Sequence, residues 1–331
     1  MRLITYARHD RQFLGAWINQ DAQIVDLHHA ATLRKLAELQ PFKSMLDLIE
    51  AGDLAWDEAR ALIADAPSEA LLHSRDITLL PPLPRPVQMR DFLCFEGHLI
   101  GAFKGIAKLA AQLSENPEQR MREIETRNDW PIPEIWYRQP IYYTANRLAI
   151  AAPEEDIVRP HYSRFFDFEL EFAAVIGKGG RNIAREEARS HIFGYTIYND
   201  WSARDEQTQV MQGMLGPGKA KDFDQGVTLG PCIVTADELP DPYDAIMKAR
   251  VNGEQWSLGN SGDMYHKFED CIADVTRSQT LFAGEVIGSG TVATGCGLEH
   301  MRFLADGDVV ELEVSGIGVL RNRVVGSTQT G

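Results

Sequence analysis

Acidic side chains alternate with apolar ones in a stretch that otherwise has the composition of a buried β-strand. Residues 167–176 read DFELEFAAVI. Alternate side chains of a strand share a face, so Asp167, Glu169 and Glu171 are predicted to lie on one side. Neighbouring carboxylates repel one another unless a cation lies between them. The stretch therefore predicts a divalent-metal site or, as the alternative, a strand with one solvated face.

A further acid stands at the predicted end of the next strand. The β-like run Ile192–Tyr198 leads into the segment NDWSARD, which places Asp200 at a strand end. There it can meet Glu169 and Glu171 of a neighbouring strand. Three carboxylates that leave positions open for water and substrate suit Mg²⁺, Mn²⁺ or Ca²⁺ rather than zinc or copper. Glu169, Glu171 and Asp200 are therefore the predicted metal ligands.

The ELE pair and the NDWSARD segment together resemble the signature of the fumarylacetoacetate hydrolase superfamily. In this chain Asp200 stands 29 residues after Glu171. The resemblance covers roughly residues 85–326. It implies an α+β, mainly β fold, in which a small α/β amino-terminal domain precedes a catalytic domain of rolled, mixed β-structure. It also implies a homodimer.

A candidate catalytic histidine lies in the segment MRDFLCFEGHL, where His98 follows Asp91 by seven residues. On a helix the two would lie two turns apart on one face, with Asp91 approaching the metal. The resemblance implies that His98 is catalytic. The alternatives are a helix N-cap for Asp91 and a structural role for His98. A Cys94–His98 nucleophile is a less favoured alternative.

Some of the remaining candidates lie close to the predicted ligands in the sequence, and others come from the resemblance. It implies that a lysine in the segment GKAKDFD lies next to the metal, and the following Phe-Asp favours Lys221 over Lys219. Glu299 is predicted to pair with His98 and to raise its basicity. The candidates for substrate binding or for orienting the metal ligands are Asp91, Arg138, Tyr143, Arg204, Asp205, Gln207 and Thr291.

The chain is predicted to divide at a proline-rich segment. Residues 1–80 are predicted to form a small unit of strands and helices, 81–86 a stiff linker, and 87–331 the catalytic domain. The predicted amino-terminal strands are Leu3–Ala7, Phe13–Ile18 and Gln23–Asp26, and the predicted helices lie around Ala31–Leu39, Phe42–Ala51 and Leu54–Ala64. Residues 102–127 are predicted to form two helices broken at Asn116-Pro117, as a lid or a surface hairpin.

Composition argues against some classes of binding partner and indicates the cellular compartment. A formal net charge of −15 argues against nucleic acid and anionic membranes as partners. The cysteines Cys94, Cys232, Cys271 and Cys296 lack C-x-x-C spacing, which is typical of reduced thiols in the cytosol. The first residues lack a signal-peptide apolar region, and the chain has no run of 18 apolar residues. A cytoplasmic protein acting on a small molecule is expected.

The predicted reaction is hydrolysis of a carbon–carbon bond in a 1,3-diketo acid, such as an acylpyruvate or a fumarylacetoacetate-like compound. A Mg²⁺ or Mn²⁺ ion would act as Lewis acid, His98 with Glu299 would activate water, and Lys221 would stabilise the resulting enolate. The resemblance leaves alternatives open: decarboxylation, isomerisation or hydration of a 2-oxo acid, and dehydration of a sugar acid. A non-catalytic metal-binding protein is the alternative from another class.

Overall fold

The computed structural model describes residues 1–9, 11–127 and 129–327. The chain has an α+β fold, as expected from the sequence. The strands are β1 Arg2–Arg8, β2 Arg11–Ile18, β3 Gln23–Asp26, β4 Leu71–His73, β5 Thr78–Leu79, β6 Met89–Phe92, β7 Tyr142–Thr144, β8 Ile150–Ala151, β9 Asp156–Val158, β10 Phe166–Asp167, β11 Leu170–Ile176, β12 Gly180–Arg181, β13 Ile192–Asp200, β14 Ser202–Ala203, β15 Val227–Thr235, β16 Ile246–Val251, β17 Glu254–Asn260, β18 Thr280–Leu281, β19 Val286–Gly288, β20 Val309–Val314 and β21 Gly318–Val325.

Helices connect and cover these strands. The α-helices are α1 Leu27–Leu33, α2 Met45–Ala51, α3 Asp53–Ala64, α4 Glu96–Gln112, α5 Pro117–Thr126, α6 Glu134–Arg138, α7 Arg185–Ala188, α8 Arg204–Val210, α9 Phe268–Val275 and α10 Gly297–His300. Short 3-10 helices lie at Gln40–Phe42, Ser68–Ala70, Ser74–Asp76, Arg189–His191, Met211–Gly213, Gly218–Ala220 and Ser261–Asp263.

One large sheet organises the molecule. Among the described residues it has twelve strands, ten of them in the order β4-β3-β2-β1-β15-β13-β11-β19-β6-β7, while β5 pairs with β1 and β8 with β15. Strand β1 pairs antiparallel with β15, with Leu3 opposite Ile233. The amino-terminal strands therefore extend the sheet that carries the candidate site. The proline-rich segment is packed as well, since the Thr5 hydroxyl donates to the Pro82 carbonyl at 2.7 Å.

Both faces of the large sheet are covered. On β11, Leu170 and Phe172 pack in one buried cluster together with Met247 and Leu312 of the second sheet, which has the order β17-β16-β20-β21-β9. On the opposite face of β11, Ala173 packs with residues of α1 to α3. A strand buried on both faces has a near-continuous apolar sequence, which explains the run from residue 172 to 176. Carboxylates on such a strand are shielded from water.

Capping residues determine where the amino-terminal helices begin. Helix α1 begins at Leu27, earlier than predicted, because the Asp26 side chain accepts a hydrogen bond from the His29 amide and so caps the first turn. Helix α2 begins at Met45 because Ser44 caps it in the same way through Asp47. The helical pair predicted within residues 102–127 corresponds to α4, which begins earlier at Glu96, and α5.

The prediction that Asp91 and His98 share one helix is wrong. Asp91 lies in strand β6, which pairs in parallel with β19, whereas His98 lies in the first turn of α4. All four residues of β6 are buried, since the strand is interior to the large sheet. The chain changes from strand to helix between Phe92 and Glu96, so the two side chains are presented by different elements.

Candidate active site

Three buried carboxylates from three strands converge at one place. Asp91 on β6, Glu171 on β11 and Asp200 at the end of β13 each present an oxygen within 4.8 Å of the other two. We call these residues the acid triad. Asp91 is 5% exposed, and Glu171 and Asp200 are 0% exposed. The alternative of a strand with a solvated acidic face is therefore excluded for this part of β11.

Sheet register and a glycine bring the triad together. Strand β19 lies between β6 and β11, with Gly288 opposite both Asp91 and Ala173. Neighbouring strands are about 4.8 Å apart, so the Asp91 carboxylate must reach across β19 to meet Glu171. A Cβ atom at Gly288 would lie 2.4 Å from Asp91 Oδ1. The absence of a side chain at Gly288 thus makes room for the Asp91 carboxylate.

Each triad residue keeps one carboxylate oxygen without a protein partner. Among the described residues, Asp91 Oδ1, Glu171 Oε2 and Asp200 Oδ1 are buried and accept no hydrogen bond. The other oxygens of two members are bound: Thr291 donates to Glu171 Oε1 at 3.0 Å and Tyr143 to Asp200 Oδ2 at 2.8 Å. Buried polar atoms normally have partners. A divalent cation with a preference for oxygen ligands, such as Mg²⁺, Mn²⁺ or Ca²⁺, fits this donor set.

The raised pKa values of the triad carboxylates also favour a bound cation. Burial, followed by the charge of Asp200, raises the pKa of Asp91 well above its usual value. Burial and the charge of Asp91 likewise raise the pKa of Glu171. Burial raises the pKa of Asp200 too, although Lys221 partly offsets that effect. Without a cation the three groups hold protons more tightly than ordinary acids, and a divalent ion would relieve the repulsion that causes this.

Glu169 lies beside the triad and is bound by two cations. Lys221 Nζ donates to Glu169 Oε2 at 2.5 Å and to Asp200 Oδ2 at 2.6 Å, and Arg204 Nη1 lies 2.8 Å from Glu169 Oε1. Burial alone would raise the pKa of Glu169, but Lys221 and Arg204 lower it below its usual value. Burial would lower the pKa of Lys221, yet Asp200 and Glu169 raise it. Glu169 is thus ionised and paired here, and its predicted role as a metal ligand stays a prediction.

The structure brings His98 and Glu299 into contact. His98 Nδ1 lies 2.8 Å from Glu299 Oε1, and each side chain is 6% exposed. Glu299 comes from α10, and its second oxygen accepts from the Thr294 amide at 3.0 Å. A Cβ atom at Gly101, one turn after His98 on α4, would lie 2.2 Å from Glu299 Oε2. Gly101 therefore allows the Glu299 carboxylate to lie against α4.

The other predicted residues divide into two groups. Arg204 and Gln207 belong to the site: the Arg204 Nε donates to Asp167 at 2.8 Å, and its Nη1 donates to Gln207 Oε1 at 2.9 Å. Asp205 and Arg138 do not reach it. Asp205 accepts hydrogen bonds from the Ser163 hydroxyl and the Arg164 amide, both at 2.8 Å. Arg138 is exposed at the end of α6 and pairs with Glu134, one helical turn away.

The structure also decides between two sets of alternatives. Lys219 is exposed and donates to the Asp222 carbonyl, so Lys221 is the lysine that meets the carboxylates. The Cys94 thiol lies 3.7 Å from the Cys271 thiol, whereas His98 Nδ1 is paired with Glu299. The Cys94–His98 nucleophile is therefore excluded.

Residues that the sequence analysis did not assign to the site also shape it. Asp167 binds Arg204 and accepts from the Gly297 and Leu298 amides at 2.8 and 2.9 Å, which holds α10 in place. Tyr198 lies two residues before Asp200 on β13, and burial, followed by Asp91 and Asp200, raises its pKa. The alternation of strand side chains was a signal for Tyr198, because residues two apart share a face. No sequence signal marked the amides that Asp167 binds.

A cavity of about 820 Å³ adjoins this cluster. Its lining includes Tyr143 and Lys221 of the site, and the loop residues Leu215 and Gly216. Leu215 is 99% exposed. The volume is within the range of small-molecule sites, so a substrate of modest size can reach Lys221 from this side.

Comparison with known proteins identifies relatives that match most of this chain. The sequence model described as fumarylacetoacetate (FAA) hydrolase C-terminal matches residues 110–325. Oxaloacetate tautomerase YisK of Bacillus subtilis is 30% identical over 98% of this chain and 100% of its own length. The mitochondrial oxaloacetate tautomerase FAHD2A of Homo sapiens is 33% identical over 86% of this chain and 80% of its own.

A solved structure is similar over the same extent. The fumarylacetoacetate hydrolase of Exiguobacterium antarcticum superposes with a TM-score of 0.73 at 25% identity, covering 99% of this chain and 100% of its own. Within the described residues, none of the helices has the length and apolar character needed to span a membrane. The family match, the relatives and the arrangement of acids lead to one conclusion: this chain belongs to the fumarylacetoacetate hydrolase family.

Proposed function

We propose that this chain is a divalent-metal-dependent enzyme that interconverts the keto and enol forms of a small 2-oxo dicarboxylic acid of the oxaloacetate type. The observation that carries the proposal is the convergence of three partnerless carboxylate oxygens beside a buried lysine and a histidine–glutamate pair. The names of the relatives that cover most of the chain support this reaction.

Asp91, Glu171 and Asp200 would hold the ion, with Glu169 beside them. A divalent ion bound there supplies a Lewis acid that polarises the 2-oxo group of the substrate. The chain supplies suitable geometry for it, because each triad residue places a carboxylate oxygen within 4.8 Å of the other two and keeps one buried oxygen without a protein partner. Tyr143 and Thr291 hold the second oxygens of Asp200 and Glu171 and so orient those carboxylates.

Lys221 is assigned to the oxygen that gains negative charge when the enol forms. Its ammonium group is held between Glu169 and Asp200, and these acids keep it protonated. A charged donor that is already oriented stabilises such an oxygen without reorganising during the reaction. Arg204 on the far side of Glu169 keeps that carboxylate ionised and in place.

His98 is assigned to proton transfer at the carbon next to the 2-oxo group. Its Nδ1 is held by Glu299, which leaves Nε2 to take the proton from carbon or to return it. Glu299 orients the ring. The ring is nearly buried, so bulk water has little access to the transferred proton.

Hydrolysis of a carbon–carbon bond in a 1,3-diketo acid is the second candidate. The His98–Glu299 pair favours it, since an imidazole held by a carboxylate is also suited to activating water. The two reactions share the polarised 2-oxo group. They differ in whether His98 exchanges a proton with carbon or removes one from a water molecule that attacks the distal carbonyl.

The test measures both reactions on the same protein with Mg²⁺ and with a chelator. Tautomerisation is followed as the loss of ultraviolet absorption of enol-oxaloacetate, and bond cleavage as pyruvate released from acylpyruvates in a coupled assay with lactate dehydrogenase. We expect Mg²⁺-dependent acceleration of enol loss without pyruvate release. Pyruvate release from an acylpyruvate without faster ketonisation of oxaloacetate would replace the tautomerase by the hydrolase. Pyruvate formed from oxaloacetate itself would indicate decarboxylation.

Further expectations accompany the proposal. The resident ion is expected to be Mg²⁺ or Mn²⁺, and the oxygen-only donors of the triad are compatible with either. The homodimer and the cytoplasmic location stay predictions from the sequence. The site uses residues of 87–331, and residues 1–80 contribute to it by extending the sheet rather than by supplying a reacting group.

A further inference from the structure

A second group of metal-binding side chains lies next to the acid triad and has different donor chemistry. His98, Cys296 and Glu299 each place a ligand atom within 4.8 Å of the other two. Glu299 Oε1 is 2.8 Å from His98 Nδ1 and 3.6 Å from the Cys296 thiol. With ordinary zinc bond lengths and a tetrahedral arrangement, ligand atoms are about 3.3 to 3.6 Å apart. Small side-chain movements would therefore bring all three onto one ion.

We propose that His98, Cys296 and Glu299 form a binding site for a thiophilic divalent ion such as Zn²⁺, distinct from the oxygen-only acid triad. The two sites select ions by donor type. Oxygen ligands favour Mg²⁺, Mn²⁺ and Ca²⁺, whereas an imidazole with a thiolate favours zinc and its heavier congener cadmium. Both sites lie in the same region, since the backbone of Cys296 forms an isolated β-bridge with Glu169.

The fold holds the three ligands rigidly. Cys296 directly precedes α10 and Glu299 lies within it, so only two residues separate the thiol-bearing residue from the carboxylate-bearing one. Asp167 holds the start of α10 through two backbone amides. Gly105 lies on α4, at a position where a Cβ atom would be 2.6 Å from the Leu298 carbonyl oxygen. Because glycine has no Cβ atom, α4 can pack directly against α10.

The Cys296 thiol has no part in the proposed reaction. It is fully buried, and burial raises its pKa well above the usual value, so the free thiol is protonated. When the ion binds, the thiol releases its proton to solvent and the sulfur becomes a thiolate ligand. The ring proton that Nδ1 shares with Glu299 in the metal-free protein is lost to solvent and Nε2 takes one up, so that the Nδ1 lone pair faces the ion. One thiolate and one carboxylate then balance the two charges of the ion.

Occupation of this site would stop proton transfer. The ion replaces the hydrogen bond between His98 Nδ1 and Glu299, and His98 can no longer accept and return a proton. This inhibition depends on the proposed function, whereas binding of the ion does not.

The test uses the full-length protein with excess Mg²⁺, so that the triad is filled, and CdCl₂ as the probe. Cadmium bound to a thiolate gives an ultraviolet charge-transfer band, which reports binding at sulfur without any activity measurement. We expect the wild type to develop this band with one cadmium ion per chain. Cys296→Ala should lose it, while Cys94→Ala, which removes another buried thiol, should keep it.

Cadmium binding by Glu299→Gln and Cys296→Ala determines whether the proposed metal site stands. Glu299→Gln keeps the thiol but removes one ligand, and we expect its cadmium affinity to fall about tenfold or more. A wild type without the band, or a band unchanged in Cys296→Ala, would overturn the site. If Cys296→Ala does not fold, unchanged cadmium affinity in Glu299→Gln overturns it instead.

An activity measurement tests the inhibitory effect separately. Zn²⁺ added in excess Mg²⁺ should inhibit the wild type, and Cys296→Ala should resist inhibition relative to its own zinc-free rate. Equal inhibition of both would show that zinc acts elsewhere and overturn the inhibitory effect. A protein that turns over none of the substrates but gives the cadmium band would refute the proposed function and leave the metal site standing.

Discussion

The acid triad and the His98–Glu299 pair lie in the same site but are positioned by different kinds of structure. The triad stands on strands of one sheet, so pairing registers set the distances between its members. The His98–Glu299 pair stands on the first turn of α4 and on the four-residue helix α10, which meet through side-chain packing. Backbone hydrogen bonds therefore define the ion site, while helix packing defines the proton-transfer site.

Each part depends on one glycine in the same way. Gly288 leaves room for Asp91 and Gly101 leaves room for Glu299, where a Cβ atom would lie within 2.4 Å of a carboxylate oxygen. If the two parts act separately, changes in one should affect metal binding and changes in the other should affect turnover alone.

Removing a charge from the triad should have the largest effect. Glu171→Gln takes away one oxygen ligand and its charge, and we expect turnover to fall about 10³-fold or more. The same change relieves repulsion among buried acids, so the chelator-treated variant should unfold at a temperature no lower than the wild type. Steady-state rates and thermal unfolding with and without Mg²⁺ measure both effects. A variant that retains Mg²⁺-induced stabilisation would show that Glu171 is not a ligand.

His98→Ala should separate the two parts of the site. We expect turnover to fall about 10²-fold, since the general acid–base group is lost. Stabilisation by Mg²⁺ should persist, because His98 is not among the triad ligands. Thermal shift with Mg²⁺ and the rate of enol loss are measured on one preparation. Full activity in this variant would contradict the assignment of proton transfer to His98.

Gly288→Ala should weaken metal binding although it replaces none of the metal ligands. The added methyl group would meet Asp91 Oδ1 and push the carboxylate away from Glu171 and Asp200. We expect Mg²⁺ affinity to fall about 10- to 100-fold, as for other changes that misplace ligands. Calorimetric titration of the chelator-treated protein measures the affinity. Activity at saturating Mg²⁺ should largely recover, and failure to recover would show damage beyond the ion site.

Gly101→Ala should lower turnover rather than Mg²⁺ affinity, and its effect should be smaller than that of Gly288→Ala. The methyl group would displace the Glu299 carboxylate from His98, and we expect kcat to fall about tenfold with Mg²⁺ affinity unchanged. Gly213→Ala is the matched control, because an added Cβ there meets nothing within 4 Å. Equal losses in the two variants would mean that the Glu299 contact is not the cause.

The pH dependence of stability should show the smallest change. The raised pKa values of Asp91, Glu171 and Asp200 mean that the folded chain holds protons more tightly than the unfolded chain. Below about pH 4 both states are protonated and nothing is lost. Above it the metal-free fold loses stability as pH rises toward the raised values. Bound Mg²⁺ cancels this loss of stability, so the rise in melting temperature on adding Mg²⁺ should grow with pH. A rise that is the same at every pH would contradict this expectation.

The sequence predicted which residues form the site better than it predicted which groups contact each of them. The family resemblance indicated Lys221, and the need for a carboxylate partner of the histidine indicated Glu299. Strand alternation and residue type indicated Glu171 and Asp200, which the structure brings together. Glu169 was predicted as a ligand on the same grounds, yet Lys221 and Arg204 engage it. Residue spacing within one strand cannot show which charged groups approach from other elements.

The positions that differ from expectation had been interpreted from local patterns. Asp91 and His98 were assigned to one helix because seven residues match two helical turns, but pairing of β6 with β19 overrides that periodicity. Arg138 was a candidate for substrate binding, yet its helix directs it to solvent beside Glu134. The amino-terminal strands pair through β1 with β15 of the central sheet, and the division of the chain at residues 81–86 stays a prediction.

The amino-acid sequence alone specified the family, the α+β class and the oxygen-rich donor set, because residue types and short spacings carry that information directly. The tertiary structure decided which oxygens remain unpaired, that Asp91 completes the triad, and that a thiol lies beside His98 and Glu299. Those features depend on distances between elements far apart in the chain. Sheet register and the space left at Gly288 and Gly101 set those distances, and both arise only when the whole chain has folded.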